Sequence, residues 1–151
     1  MKGYKFRLQS LLDTRTNQLE NAQLEFSRVQ YKLQLENKKL EELYDKLKQT
    51  NVGLKSVLSS SLSIDPFTIN NYRGYIVKLE SDIGHQHKVI ADVEFELEEK
   101  KNIMLEAMKA KKILEKLKEK GLKEFNEKIE KHTMAEIDDI ATSRYIRNQS
   151  I

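Results

Sequence analysis

The sequence predicts an all-α fold, a long antiparallel two-helix coiled coil, on three observations. Apolar residues follow a strict 3-4 spacing from Leu8 through Leu12, Leu19, Ala22, Phe26, Val29, Leu33, Leu40, Leu43, Leu47, Leu54 and Val57, interrupted only at Arg15, Glu36 and Thr50. The 151 residues contain 5 Gly and 1 Pro, so little of the chain is suited to loops. That single proline, Pro66, follows an aspartate and divides two stretches written in the same grammar. A narrow stripe at heptad positions a and d does not bury a helix by itself and calls for a partner helix.

The elements follow in order. Helix one is expected from about Tyr4 to Val57. The SVLSSSLSID stretch then changes the pattern, and Ser59 to Ser61 favour a turn because their hydroxyls compete for backbone hydrogen bonds. A turn over about 58–65 ends at Asp65-Pro66, a helix-start signal in which Asp caps exposed N–H groups and Pro occupies the first helical position. Helix two, about 66–147, resumes the spacing at Ile69, Tyr72, Ile76, Leu79, Ile83, Gln86, Ile90, Val93, Leu97, Lys100, Met104 and Ala107. After Ala107 the register is expected to fail. Lys111 and Lys118 land in the seam, while the apolar residues move to Leu114, Leu117, Leu122, Phe125 and Ile129.

The whole chain, 1–151, thus reads as one coiled-coil hairpin. A turn near residue 62 pairs residues whose numbers add to roughly 124, which brings Leu12 near Leu114 and Phe26 near Leu97. At 1.5 Å per residue the helices are about 80 and 120 Å long, so the last twenty to thirty residues are expected to overhang helix one.

Bulk composition narrows the function. Charged residues make up 34% of the chain, yet the net charge is only +3 and the pI about 8.9, a bias too weak to demand nucleic acid. Cysteine is absent, which excludes disulfides and thiolate metal sites and suits a reducing compartment. No apolar run has signal-peptide or membrane-spanning length, so membrane association is expected only through a partner.

Catalysis is not expected, nor is a cofactor or metal. There is no GxxxxGK, CxxC or HExxH. His85 and His87 point to different sides of a helix, His132 is isolated, and Asp138 and Asp139 diverge. Two other features suggest binding. Lys2, Lys5, Arg7 and Arg15 at the start of helix one should meet Lys109, Lys111, Lys112, Lys116, Lys118, Lys120 and Lys123 of helix two. The cluster reads either as a solvated surface with i,i+4 pairs or as an electropositive end for an acidic protein surface. Aromatic residues are not interleaved with these lysines, which argues against nucleic acid. Apolar side chains also stand off the seam: Leu24, Tyr31 and Leu35 on helix one, Phe67, Tyr75 and Phe95 on helix two. Tyr44, Phe67, Tyr72 and Tyr75 gather near the bend, and tyrosine is a favoured interface anchor.

The opening YKFRLQSLLDTRTNQLENAQLE (Tyr4 to Glu25) resembles the start of FliJ proteins of the bacterial flagellar export apparatus. INNYRGYIVKLESDI (Ile69 to Ile83) is similar to that family's aromatic stretch after the bend, and EKIEKHTMAEIDDIATSRYIR (Glu127 to Arg147) resembles its acidic tail. The resemblance covers the whole chain in length and layout, and nonflagellar type III secretion stalk proteins share that layout.

The resemblance implies a hairpin similar to the central stalk of rotary ATPases. It implies a non-catalytic stalk and chaperone escort whose partners are a hexameric flagellar export ATPase, the cytoplasmic domain of an export-gate membrane protein, and substrate chaperones. It also implies a cytoplasmic location, peripheral to the inner membrane at the flagellar base. Export-gate residues carried over are Tyr75 and Leu79, with Leu43, Tyr44 and Tyr72. Asp82 and Gln86 depart from the family's pattern. Ring contacts expected from position are Phe6, Arg7, Lys111, Lys112 and Lys118. A stalk of a nonflagellar type III system, a generic cytoplasmic coiled-coil adaptor and a weak nucleic-acid binder are the competing readings.

Overall fold

The structure is a computed structural model that describes residues 3–60 and 65–149. Two helices account for nearly all of these, α1 (Gln9–Leu58, 50 residues) and α2 (Pro66–Gln149, 84 residues), packed together as an all-α hairpin with no strand among the described residues. Leu, Glu and Lys are frequent in both helices, and all lose little rotamer freedom in a helix. The start of α2 is built as the sequence expects. The Asp65 carboxylate accepts hydrogen bonds from the Phe67 N–H (3.1 Å) and the Thr68 hydroxyl (3.2 Å), with Pro66 at the first helical position. At the end of α1, Ser59 N–H donates to the Lys55 carbonyl and Ser60 N–H to that of Val57. Ser61, with the rest of the turn at 62–64, lies outside the described residues, as does Lys2.

The chain divides into two units, each containing segments of both helices: Met1–Glu20 with Leu105–Ile151, and Asn21–Met104. In the second unit, here the bend unit, Ala22, Val29, Leu79, Ile83, Ile90 and Val93 are buried, Val29 completely. Burying one such Val or Leu side chain contributes about 1.5–3 kcal/mol. The antiparallel register is fixed by the flanks. Lys32 and Arg28 reach Glu96 at 3.4 and 3.6 Å, and Lys100 reaches Glu25 at 3.8 Å. Glu25, Lys32 and Glu96 are all g positions, and g meets g only when two helices run in opposite directions. The seam's two polar interruptions also meet. Buried Gln86 donates from its amide to the Glu36 backbone carbonyl (2.9 Å) and to the Glu36 carboxylate (2.7 Å). These partners' numbers scatter closely about the expected sum of roughly 124.

In the first unit, the terminal unit, Leu12, Leu19 and Leu114 are buried. Two expectations are corrected here. The first is that helix one starts at about Tyr4. In the structure α1 starts at Gln9, whose N–H bonds to the Phe6 carbonyl at 3.1 Å. The residues before it alternate in twos, with Tyr4, Phe6 and Leu8 half-buried and Lys5 and Arg7 exposed. A period of two fits an extended segment rather than a helix. The second correction concerns the register after Ala107. It does not fail: half-buried positions continue at Lys111, Lys118, Gly121 and Phe125 around buried Leu114, while Leu117 and Leu122 are exposed. A lysine can occupy a seam because its aliphatic stem packs while its ammonium reaches the edge. Lys118 does this with its ammonium on the Gln9 side-chain oxygen at 2.7 Å.

Candidate interaction surfaces

The bend unit presents two hollows on the flank where g positions meet. Thr50, Phe67, Thr68, Asn71, Tyr72 and Tyr75 line an open, mostly apolar hollow of about 370 Å³. Tyr72 sits at a d position, and its ring lies against Gly53, where an added Cβ would approach to 3.1 Å. Phe67 (70% exposed) and Tyr75 (42% exposed) offer apolar surface on the same hollow. The other hollow, about 330 Å³, is lined by Lys39, Glu42, Leu43, Lys46, Asp82, His85 and Gln86. The adjoining Glu36 carboxyl is held below its ordinary value, first by the Gln86 amide bond and then by Lys39 at 3.2 Å. Glu25 is held low in the same way by its 3.0 Å bond with Arg28.

These positions separate the residues expected to face the export gate. Tyr72 and Tyr75 share one hollow, and Leu43 lines the other. Tyr44 lies on the opposite flank, an e position, where its hydroxyl shares a 3.0 Å hydrogen bond with His87 and the two rings meet edge to face. Leu79 is 2% exposed, within the seam, and holds the helices together rather than facing outward. Its d position already signalled this burial. His87 is the residue whose part sequence reasoning did not find. Its e position placed it opposite Tyr44 in an antiparallel pair.

In the terminal unit the residues expected at the ATPase ring also divide. Arg7 and Lys112 are exposed, whereas Phe6 is half-buried. Lys111 is half-buried and pairs with Glu115 at 3.5 Å, and Lys118 is tied to Gln9. Tyr4 packs on Phe125 with ring centroids 5.7 Å apart, and its hydroxyl fills the space beside Gly121 that a Cβ would occupy. Beyond Ile129 every described residue of α2 is exposed, among them Met134, Ile137, Ile140 and Tyr145.

Among the described residues no group of three or more His, Cys, Asp or Glu is placed to hold a metal ion, and no helix is long and apolar enough to cross a membrane. Hollows this open suit contact with another macromolecule better than desolvation of a reacting group. The family described as Flagellar FliJ protein matches residues 4–150. A Flagellar FliJ protein of Bacillus subtilis (strain 168) is 24% identical over 144 residues, covering 95% of this chain and 97% of that relative. No solved structure matches the chain. With its two-helix hairpin and a family match spanning nearly its full length, the chain belongs to the FliJ family of flagellar proteins.

Proposed function

We propose that this FliJ-family chain acts as a non-catalytic stalk and escort in flagellar protein export, with its terminal unit inserting into the ring of the hexameric export ATPase. The observation that carries this reading is the continuation of α2 past its last half-buried residue, Ile129, as a helix whose side chains are all exposed. An amphipathic helix without a partner is marginal on its own, and a surrounding ring would supply one. Family membership supports the export apparatus as the setting.

For the export gate we favour the flank carrying Phe67 and Tyr75, with Leu43 in the adjoining hollow, because these residues share one side of the bend unit. Substrate chaperones are the further partners of this reading, and the cytoplasmic face of the inner membrane at the flagellar base is its place. The test is ATP turnover by the purified export ATPase with and without the full chain. Stimulated ring assembly and turnover are expected, and no change in either overturns the stalk role. Tyr75→Ala is expected to weaken binding to the gate's cytoplasmic domain with helicity unchanged. Tyr44→Ala, on the other flank, is expected to leave gate binding intact.

A further inference from the structure

Gln9, the first residue of α1, meets Lys118 of α2 within the terminal unit. Past that point α2 has no facing helix, yet it stays half-buried at Gly121, Phe125 and Ile129. The segment before α1 supplies cover. Tyr4 packs on Phe125, its hydroxyl fills the space beside Gly121, and Phe6 and Leu8 are half-buried after it. Glycine weakens a helix interior. At position 121 it leaves a notch in the seam that takes the tip of Tyr4, which a Cβ would meet.

Side-chain packing alone holds this cover in place. Among the described residues no hydrogen bond or ion pair joins residues 3–8 to α2. The backbone bonds of the segment, from Gln9 N–H to the Phe6 carbonyl and from Leu12 N–H to the Leu8 carbonyl, belong to the start of α1. Lifting Tyr4 from its seat therefore breaks no hydrogen bond between the segment and α2. It leaves buried Leu12, Leu19 and Leu114 in place, with the Gln9 bond to Lys118 as the pivot. Segments held so lightly open at low free energy, well before the seam itself.

We propose that residues 4–8 are an autoinhibitory strap, occupying in the free chain a stretch of α2 that the export ATPase ring covers on insertion. This rests on the stalk role and adds its regulation. Where two helices run together, a surrounding ring meets only their outer faces. Where α2 stands alone, the ring meets every side of it, the seam side included, and there it competes with Tyr4. With the strap open, residues 121–149 form one unpartnered length of helix, about 42 Å at 1.5 Å per residue. With the strap closed, the apparent affinity for the ring falls in proportion to the fraction of chains that are open. A change that empties the Tyr4 seat raises that fraction.

The test is ATP turnover by the purified export ATPase, titrated with the full chain. Tyr4→Ala is expected to reach half-maximal stimulation at a several-fold lower concentration than the wild type, with helicity unchanged. Gly121→Ala keeps the strap's own sequence and crowds the Tyr4 hydroxyl, so it should shift the titration the same way by less. In Tyr4→Cys/Phe125→Cys a bismaleimide can tie the strap down, since the two rings now lie 5.7 Å apart. The tied chain should stimulate several-fold less than the same chain untied. Equal stimulation by the tied and untied chains overturns the strap and leaves the stalk role standing. So does a Tyr4→Ala chain that is needed at the wild-type concentration or above. No stimulation by the wild type or any variant overturns the stalk role, and the strap with it.

Discussion

The bend unit and the terminal unit are written in one 3-4 spacing but filled differently. In the bend unit the seam holds Val29, Leu79, Ile83 and Ile90, buried Gln86 is satisfied by Glu36, and charged flanks cross from helix to helix. In the terminal unit the seam admits Lys111, Lys118 and a glycine, is sealed by an extended segment through Tyr4, and then runs out. Spacing sets which residues meet. Side-chain identity sets how dry the meeting is, and so how firmly it holds without a partner.

The largest expected difference comes from truncating the dry seam. Leu79→Ala should cost about 2–5 kcal/mol in urea unfolding followed by circular dichroism, while exposed Leu117→Ala should stay within about 0.5 kcal/mol. Lys118→Leu is next. With the register continuing through the terminal unit, this change adds apolar burial and should raise stability by about 1 kcal/mol despite losing the bond to Gln9. No gain would mean that the seam stops at Ala107.

The Glu36 carboxyl separates the units by pH. Its pKa is lowered from 4.5 in the folded chain, chiefly by the Gln86 amide and then by Lys39. The associated stability is present above about pH 4.5 and is lost as pH falls through the lowered value. Wild type should therefore lose more stability than Glu36→Gln between about pH 6 and about pH 3. Parallel losses would remove Glu36 from the acid response. The smallest effect is expected at Gly121→Ala. Alanine favours the helix by about 1 kcal/mol but overlaps the Tyr4 hydroxyl. Unfolding should barely change, while amide exchange at residues 4–8 accelerates as Tyr4 leaves Phe125.

Much of this fold was legible in the sequence, for reasons that also mark where reading stops. The hairpin and its register follow from the matched seams and from Asp65-Pro66, because an antiparallel pair has one degree of freedom once the bend is placed. The continuation through Lys111 and Lys118 was not legible from polarity alone, since a lysine stem packs as an apolar residue does. The extended start was visible as the alternation of Tyr4, Phe6 and Leu8 but was outweighed by the helical pattern that follows. For the candidate surfaces, the heptad letters already divided Tyr44 from Tyr75 and buried Leu79. Which partner uses either flank is chemistry that the partner supplies.

The fold-back itself is tested most directly by a cross-link in this cysteine-free chain. Replacing Lys32 and Glu96 by cysteine puts two thiols at the bases of side chains whose tips now meet at 3.4 Å, within the span of a short bismaleimide. On treating a dilute sample with that reagent the expected product is a cross-link within one chain, running as a monomer of altered mobility on a denaturing gel. Cross-links formed only between chains would show that α1 finds its partner in another molecule and would contradict the hairpin.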